Sequence, residues 1–214
     1  MEDSIREIAI WAVPVLFGII FHEVAHGWVA SKLGDPTAAR MGRLTLNPIS
    51  HIDLFGTILL PAILILGGAP FVFGYAKPVP VNFNNLRRPK HDMIWVALAG
   101  PMTNILLALV SLYVVKFSDN AAYSAVALAP LVLMAQTSVN INVMLASFNL
   151  FPIPPLDGGR VIVGLLPNPY SAAVARIEPF GFLIIIVLLM THTLDVILGP
   201  IIRFVFGILG ALLF

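Results

Sequence analysis

Cysteine is absent from these 214 residues. That excludes disulfides, thiolate metal ligands and a cysteine nucleophile, so any metal site must draw on His, Asp or Glu. Charge is scarce: Asp, Glu, Lys and Arg make up 11% of the chain, against about 25% in ordinary soluble domains. The twelve Lys and Arg nearly balance the eleven Asp and Glu. No basic excess is left to hold a nucleic-acid backbone, and that class of partner is set aside. A cleavable signal peptide is not evident, because Met1-Glu2-Asp3-Ser4 is acidic and the apolar stretch behind it runs on into a charged motif. Internal repeats, low-complexity linkers and loops long enough for an inserted domain are also missing. One domain over 1–214 is expected, with a core over 8–160 and C-terminal helices over 170–214. What fills the chain is apolar: 59% hydrophobic residues and a mean hydropathy of +0.96. A soluble domain of this size could not bury that surface, so the pattern reads as an all-α polytopic membrane protein.

Charge-free runs mark the spans, and a spanning helix needs about 20 apolar residues. The first run covers Ile8 to about Ala30, the third lies between Asp92 and Lys116, and the fourth between Asp119 and Asp157. The C-terminal region suits two short helices, with Gly199-Pro200 as the expected break. The second run is short. Its helical part, Gly56 to Leu66, carries Pro61 and is closed by Gly67-Gly68-Ala69-Pro70. Segment 54–70 is therefore expected to be re-entrant or tilted, with an ordinary short span as the alternative. The count is about five to six membrane helices with a short re-entrant segment. Lys77-Pro78-Val79-Pro80-Val81-Asn82 alternates and is proline-rich, which suits a small extended or edge-strand element at the cytoplasmic face.

Basic residues orient these elements. Lys32, Arg40 and Arg43 fall in loop 31–52, and Lys77, Arg87, Arg88 and Lys90 fall in loop 74–92, whereas the loop near 116–124 holds only Lys116. The positive-inside rule places both basic loops in the cytoplasm, which requires that the segment between them does not cross.

The first span contains His22-Glu23-Val24-Ala25-His26. Two histidines four apart share one face of a helix, so both imidazoles can reach one zinc ion while Glu23 activates water. Three ionisable groups in an apolar span are costly and must face a partner or a cavity; the plainer alternative is a polar cluster that pairs helices without metal. A catalytic zinc usually has three protein ligands. Asp157 is the best candidate for the third. It follows Pro152, Pro154 and Pro155, which force an extended path, and precedes Gly158-Gly159, which allow close backbone approach. A helix-capping role for Asp157 stays open on these grounds. Re-entrance of the second run brings Asp157 to the depth of His22; full crossing would put it near the opposite face.

Asn149 precedes this stretch and also suits a helix C-terminal cap. Ser138, Asn142 and Asn149 share one face of the fourth span, with interhelical hydrogen bonding as the plain role for Ser138 and Asn140. Asn104 could orient a ligand histidine or simply pack. His51 reads as a loop or helix-start residue, and Asp92 as a cap.

HEVAHG in a span with NLFPIPPLDGGR after a later one resembles the site-2 protease family of intramembrane zinc metalloproteases, of the short prokaryotic type. GRLTLNPISHIDLFGT, GYAKPVPVN and LAGPMTN strengthen the resemblance, which covers about Phe17 to Arg160. It implies one Zn2+ per chain on His22, His26 and Asp157, with Glu23 as general base and then general acid. Asn149 matches the asparagine that binds substrate or polarises the scissile carbonyl. The implied activity is endopeptidase cleavage of transmembrane helices, in a multi-pass protein of the plasma membrane whose active site lies toward the cytoplasm. The implied partners are a transmembrane-helix substrate and the bilayer; nothing fixes the oligomeric state. The alternatives are a catalytically inactive membrane scaffold and a metal or proton carrier.

Overall fold

The first apolar run folds into one long helix, α1 (Glu2–Leu33), with Pro14 inside it. The structure is a computed structural model and describes residues 2–68, 74–120 and 129–211. Gly34 ends α1. Its φ of 116° is open to glycine but strained for other residues, and it lets the N–H groups of Gly34 and Asp35 donate back to the Ser31 and Ala30 carbonyls. A single turn, α2 (Thr37–Arg40), follows. A 3-10 turn over Pro48–His51 comes next, where the Asn47 side chain accepts the Ile49 N–H.

The short second run begins as a π-helical turn, Leu54–Leu59, capped by Asp53 on the Gly56 N–H at 2.7 Å, and continues as α3 (Leu60–Leu66). At 1.5 Å per residue this stretch is about 20 Å long, short of an apolar slab of about 30 Å. Residues 69 and 70 of the expected segment lie outside the described residues. The chain comes back to where it left. The Tyr75 N–H donates to the Gly56 carbonyl at 3.0 Å, and the Lys77 N–H to the His51 carbonyl at 2.8 Å. A segment whose two ends are hydrogen-bonded together has the geometry that re-entrance requires.

Lys77–Asn82 then runs without regular structure. The described residues contain no β-strand, so the expected strand element is corrected to an extended strap. Its physical reason is the partners: loop carbonyls and side chains take its N–H groups, and no neighbouring strand does.

α4 (Pro89–Asn120) and α5 (Ala129–Asn149) pack against each other and against α1, forming the central group of helices. As expected of a cap, the Asp92 carboxylate accepts the Arg88 N–H at the start of α4. Of the 116–124 loop, residues 121–124 lie outside the described residues. The chain then turns through 150–156, with a cis bond between Pro154 and Pro155, into α6 (Asp157–Leu165), which lies on α4. α7 (Asn168–Ala175), α8 (Glu178–Met190) and α9 (Thr193–Ala211) complete the described chain; residues 212–214 of the expected C-terminal helices lie outside it.

The C-terminal break is not where Gly199-Pro200 placed it. The chain turns at His192, with φ 54°, and Pro200 lies inside α9. A proline inside a membrane helix is tolerated where neighbours and local adjustment satisfy the freed carbonyl. Among the described residues, four helices are long and apolar enough to cross a membrane: Ala9–Leu33, Pro89–Ser118, Ala129–Asn149 and Thr193–Ala211. A fifth is reached if α7 and α8, bent by 59°, make one span. Their outer faces carry large exposed apolar side chains such as Trp11, Phe17, Trp95, Leu106 and Phe204, a surface suited to hydrocarbon rather than water.

Candidate metal centre

The helical period of α1 sets His22 and His26 one turn apart on the face turned toward α4 and α6. Asp157, the first residue of α6, reaches between them. Its Oδ2 lies 3.1 Å from His22 Nε2 and 3.2 Å from His26 Nε2, and the two Nε2 atoms are 3.0 Å apart. His22 and Asp157 are buried, and His26 nearly so. Gly158 and Gly159 make this approach possible: a Cβ on either would run into the backbone of the turn at Leu150–Pro154.

The proton positions follow from carbonyl partners, which can only accept. His26 Nδ1 faces the Val96 carbonyl at 2.6 Å, so it donates there. Asn142 Nδ2 donates to the Ser138 carbonyl at 2.9 Å, which leaves Asn142 Oδ1 to accept from Asn104 Nδ2 at 2.8 Å. Asn104 Nδ2 also donates to the Gly18 carbonyl at 3.1 Å. The Asn104 amide is thereby fixed with Oδ1 toward His22, whose Nδ1–H donates to it at 2.6 Å. In the neutral rings, both Nε2 atoms therefore carry lone pairs aimed at the same point as the Asp157 carboxylate.

Three electron-pair donors about 3 Å apart repel one another unless a cation sits among them. Asp157 Oδ2 is buried and has no hydrogen-bond donor, which is costly for a carboxylate oxygen. A tetrahedral zinc with bonds of about 2.0–2.1 Å places its ligand atoms about 3.3 Å apart, close to the separations seen here. Gly100 adds a further fit. A Cβ at that position would contact His26 Nε2 and come within 2.5 Å of His22 Cε1, so only a bare Cα leaves the space open. His22, His26 and Asp157 are one group that could hold a metal ion.

The other expected residues fall in different places. Glu23 is half-buried, and its Oε2 accepts the Val79 N–H at 2.8 Å. Asn149, the last residue of α5, donates one amide hydrogen to the Leu145 carbonyl of its own helix at 2.9 Å. Ser138 accepts from Ser111 of α4 at 2.8 Å, as an interhelical bond, whereas Gln136 and Asn140 point outward. His51 is buried, donates Nε2–H to the Thr45 carbonyl and takes no part in the metal group. It lines a cavity of about 230 Å3 with Ile19, Ile20, Thr57 and Tyr75, beside the strap and just before the His22 turn. Gly100, Asp35 and Val79 did not stand out in the sequence: a missing side chain and a backbone N–H leave no residue-type signature. Only the spacing Asp35-Pro36-Thr37 hinted at a side chain bonding two residues on.

A family model described as peptidase family M50 matches residues 10–127. The chain belongs to that family. It is 38% identical over 192 residues to "Putative zinc metalloprotease YwhC" of Bacillus subtilis, covering 88% of this chain and 83% of that protein. It is 30% identical to "Putative zinc metalloprotease Rip2" of Mycolicibacterium smegmatis, over 90% of this chain and 73% of the other. It is 28% identical to "Putative zinc metalloprotease MJ0611" of Methanocaldococcus jannaschii, over 85% and 82% of the two chains. No solved structure matches the chain significantly. Family membership and the apolar helices together make this M50 member a multi-pass membrane protein.

Proposed function

We propose that this M50 member is an intramembrane zinc endopeptidase that acts as a single membrane-embedded domain on transmembrane helices. The observation that carries the reading is the meeting of three lone-pair donors, His22 Nε2, His26 Nε2 and Asp157 Oδ2, around an oxygen with no other partner. These three would hold one zinc ion. Bound there, zinc lowers the pKa of water toward about 7 and polarises a peptide carbonyl.

The remaining steps belong to the chain's own groups. Glu23 takes the proton of the attacking water and then delivers it to the leaving amine. Asn149 keeps a second amide hydrogen that can meet the oxyanion as it develops. Asn104 holds His22 in the tautomer that leaves Nε2 free. The substrate is a membrane helix, and its internally hydrogen-bonded backbone must unwind before a carbonyl reaches the site. The positive-inside rule applied to the basic loops 31–52 and 74–92 supports a strap and metal group toward the cytoplasmic side of the plasma membrane, from which water would reach the site.

Glu23→Gln separates this reading from its competitors. The variant is expected to keep about one zinc per chain and to lose about 100-fold or more in cleavage of a transmembrane-helix substrate. Zinc retained with cleavage unchanged would remove Glu23 as the base. Wild-type protein that moves zinc across liposome membranes without cutting a helix would make the chain a carrier.

A further inference from the structure

The strap over Lys77–Asn82 is held through the N–H groups of Lys77, Val79 and Asn82. Tyr75 and Lys77 donate to the Gly56 and His51 carbonyls. Val79 donates to Glu23 Oε2 at 2.8 Å, and Asn82 to Asp35 Oδ2 at 2.7 Å. Arg43 holds the strap from its own side, donating Nη2–H to the Lys77 carbonyl at 2.9 Å. Pro78 and Pro80 fall between these donors, so the prolines remove none of these bonds. The Val79 side chain is buried in a notch above Gly27, where a Cβ would come within 2.6 Å of Val79 Cγ1 and 2.7 Å of Leu44 Cδ2.

Asp35 is fully buried, yet it touches neither the metal group nor Glu23. Its bonds go to the strap, to its own turn and to Asn85 just beyond the strap. Oδ1 accepts the Thr37 N–H at 3.1 Å, the Thr37 hydroxyl, and Asn85 Nδ2 at 2.9 Å. Oδ2 accepts only the Asn82 N–H. The two carboxylates thus grip the same strap three residues apart, one as a fixed anchor and the other as a mobile side chain. A glutamate has three rotatable bonds, and a base must be placed to within a fraction of an ångström. The Val79 N–H supplies that placement only if the strap cannot slide.

We propose that Asp35 is a positioning residue for Glu23, acting through the Lys77–Asn82 strap and the N–H of Val79. This rests on Glu23 being the base of the reaction proposed above. Asp35 sets where the Glu23 carboxylate stands and contributes nothing to holding metal or substrate.

Asp35→Asn is the sharpest variant. It is isosteric and keeps Oδ1 facing Thr37 and Asn85, but turns an amide N–H toward the N–H of Asn82, donor against donor. Val79→Pro compared with Val79→Ala isolates the other end, since both lose the side chain in the notch and only the proline loses the N–H. The probe is a designed apolar peptide of about 20 residues with a central Asn-Gly, in detergent micelles with full-length, zinc-loaded protein.

For Asp35→Asn, and for Val79→Pro relative to Val79→Ala, kcat is expected to fall about 10–100-fold with KM and zinc content within about twofold of the reference. Hydrogen exchange over peptide 75–86 is expected to speed up in Asp35→Asn while α1 is unchanged, a readout independent of cleavage. A kcat within about twofold of wild type, a rise in kcat, or a loss carried by KM overturns the proposal. If Asp35→Asn does not fold, the Val79 pair decides by the same criteria. Faster exchange in a protein whose wild type never cuts the peptide would instead overturn the endopeptidase reading and leave the Asp35–strap link standing.

Discussion

Two aspartates close to the first span are almost wholly buried, and their surroundings are opposite. Asp35 meets four donors, from Thr37, Asn82 and Asn85, and every one is protein. Asp157 has Oδ2 aimed at two imidazole nitrogens that offer no proton, and that oxygen has no donor at all. Burial of a carboxylate is costly in both places. At Asp35 the fold meets that cost itself, which marks a structural clasp. At Asp157 it leaves the cost standing, in a group that could hold a metal ion. The same residue type at the same burial thus serves two ends, and the count of donors tells them apart.

Removing the unsatisfied member should have the largest effect. Asp157→Ala is expected to take zinc from about one per chain to nearly none, since two imidazoles alone make a poor site. In chelator-stripped protein the same change should be neutral or stabilising by about 1–3 kcal/mol, because an orphaned buried oxygen goes with it. Metal analysis of the purified variant, with thermal melts after chelation, checks both. A variant that keeps its zinc would remove Asp157 from the ligand set.

Removing the satisfied member should show the opposite pattern. Asp35→Ala strands four donors and is expected to cost about 2–4 kcal/mol of stability, with zinc content of the folded fraction unchanged. Melts and metal analysis of that one variant suffice, and a loss of zinc at full stability would exchange the roles of the two aspartates.

A smaller effect sharpens the metal side. Asn104→Leu leaves His22 Nδ1 without its acceptor and releases the tautomer. Zinc affinity, read by competition with a chelator, is expected to weaken about 10–100-fold. An affinity within about twofold of wild type would make Asn104 a packing residue, despite its 2.6 Å bond to His22.

How much of this was legible in the sequence depends on what carries each signal. His22, Glu23 and His26 declare themselves by helical spacing inside an apolar span. Asp157 is flagged by prolines before it and glycines after it, and the short second run by its length. Those are side-chain patterns, and the fold brings His22, His26 and Asp157 into one group. The strap did not form a strand, because strand identity is set by the neighbour and a sequence does not name its neighbour. The C-terminal break moved from Gly199-Pro200 to His192, because a membrane helix can absorb a proline that a propensity rule treats as a stop. The grip of Val79 on Glu23 is a backbone bond, and almost any residue type could supply it.

The smallest prediction uses pH to separate clasp from ligand. Burial works against ionisation of Asp35, but the Thr37 hydroxyl, the Asn85 amide and the N–H groups of Asn82 and Thr37 together hold its carboxyl below the ordinary carboxylate range. The unfolded chain, with its Asp at about 3.9, then binds protons before the folded one does. The clasp's contribution is whole above that value and is lost as pH falls through the lower, folded value. Asp35→Asn cannot titrate and never has this contribution. Melts of both chelator-stripped proteins should therefore differ most near neutral pH, and the gap should close as pH drops below about 4. Asp157 titrates in both proteins and cancels from the difference. A gap that stays constant or widens in acid would mean that Asp35 is not a charged clasp, and the contrast between the two aspartates would fall with it.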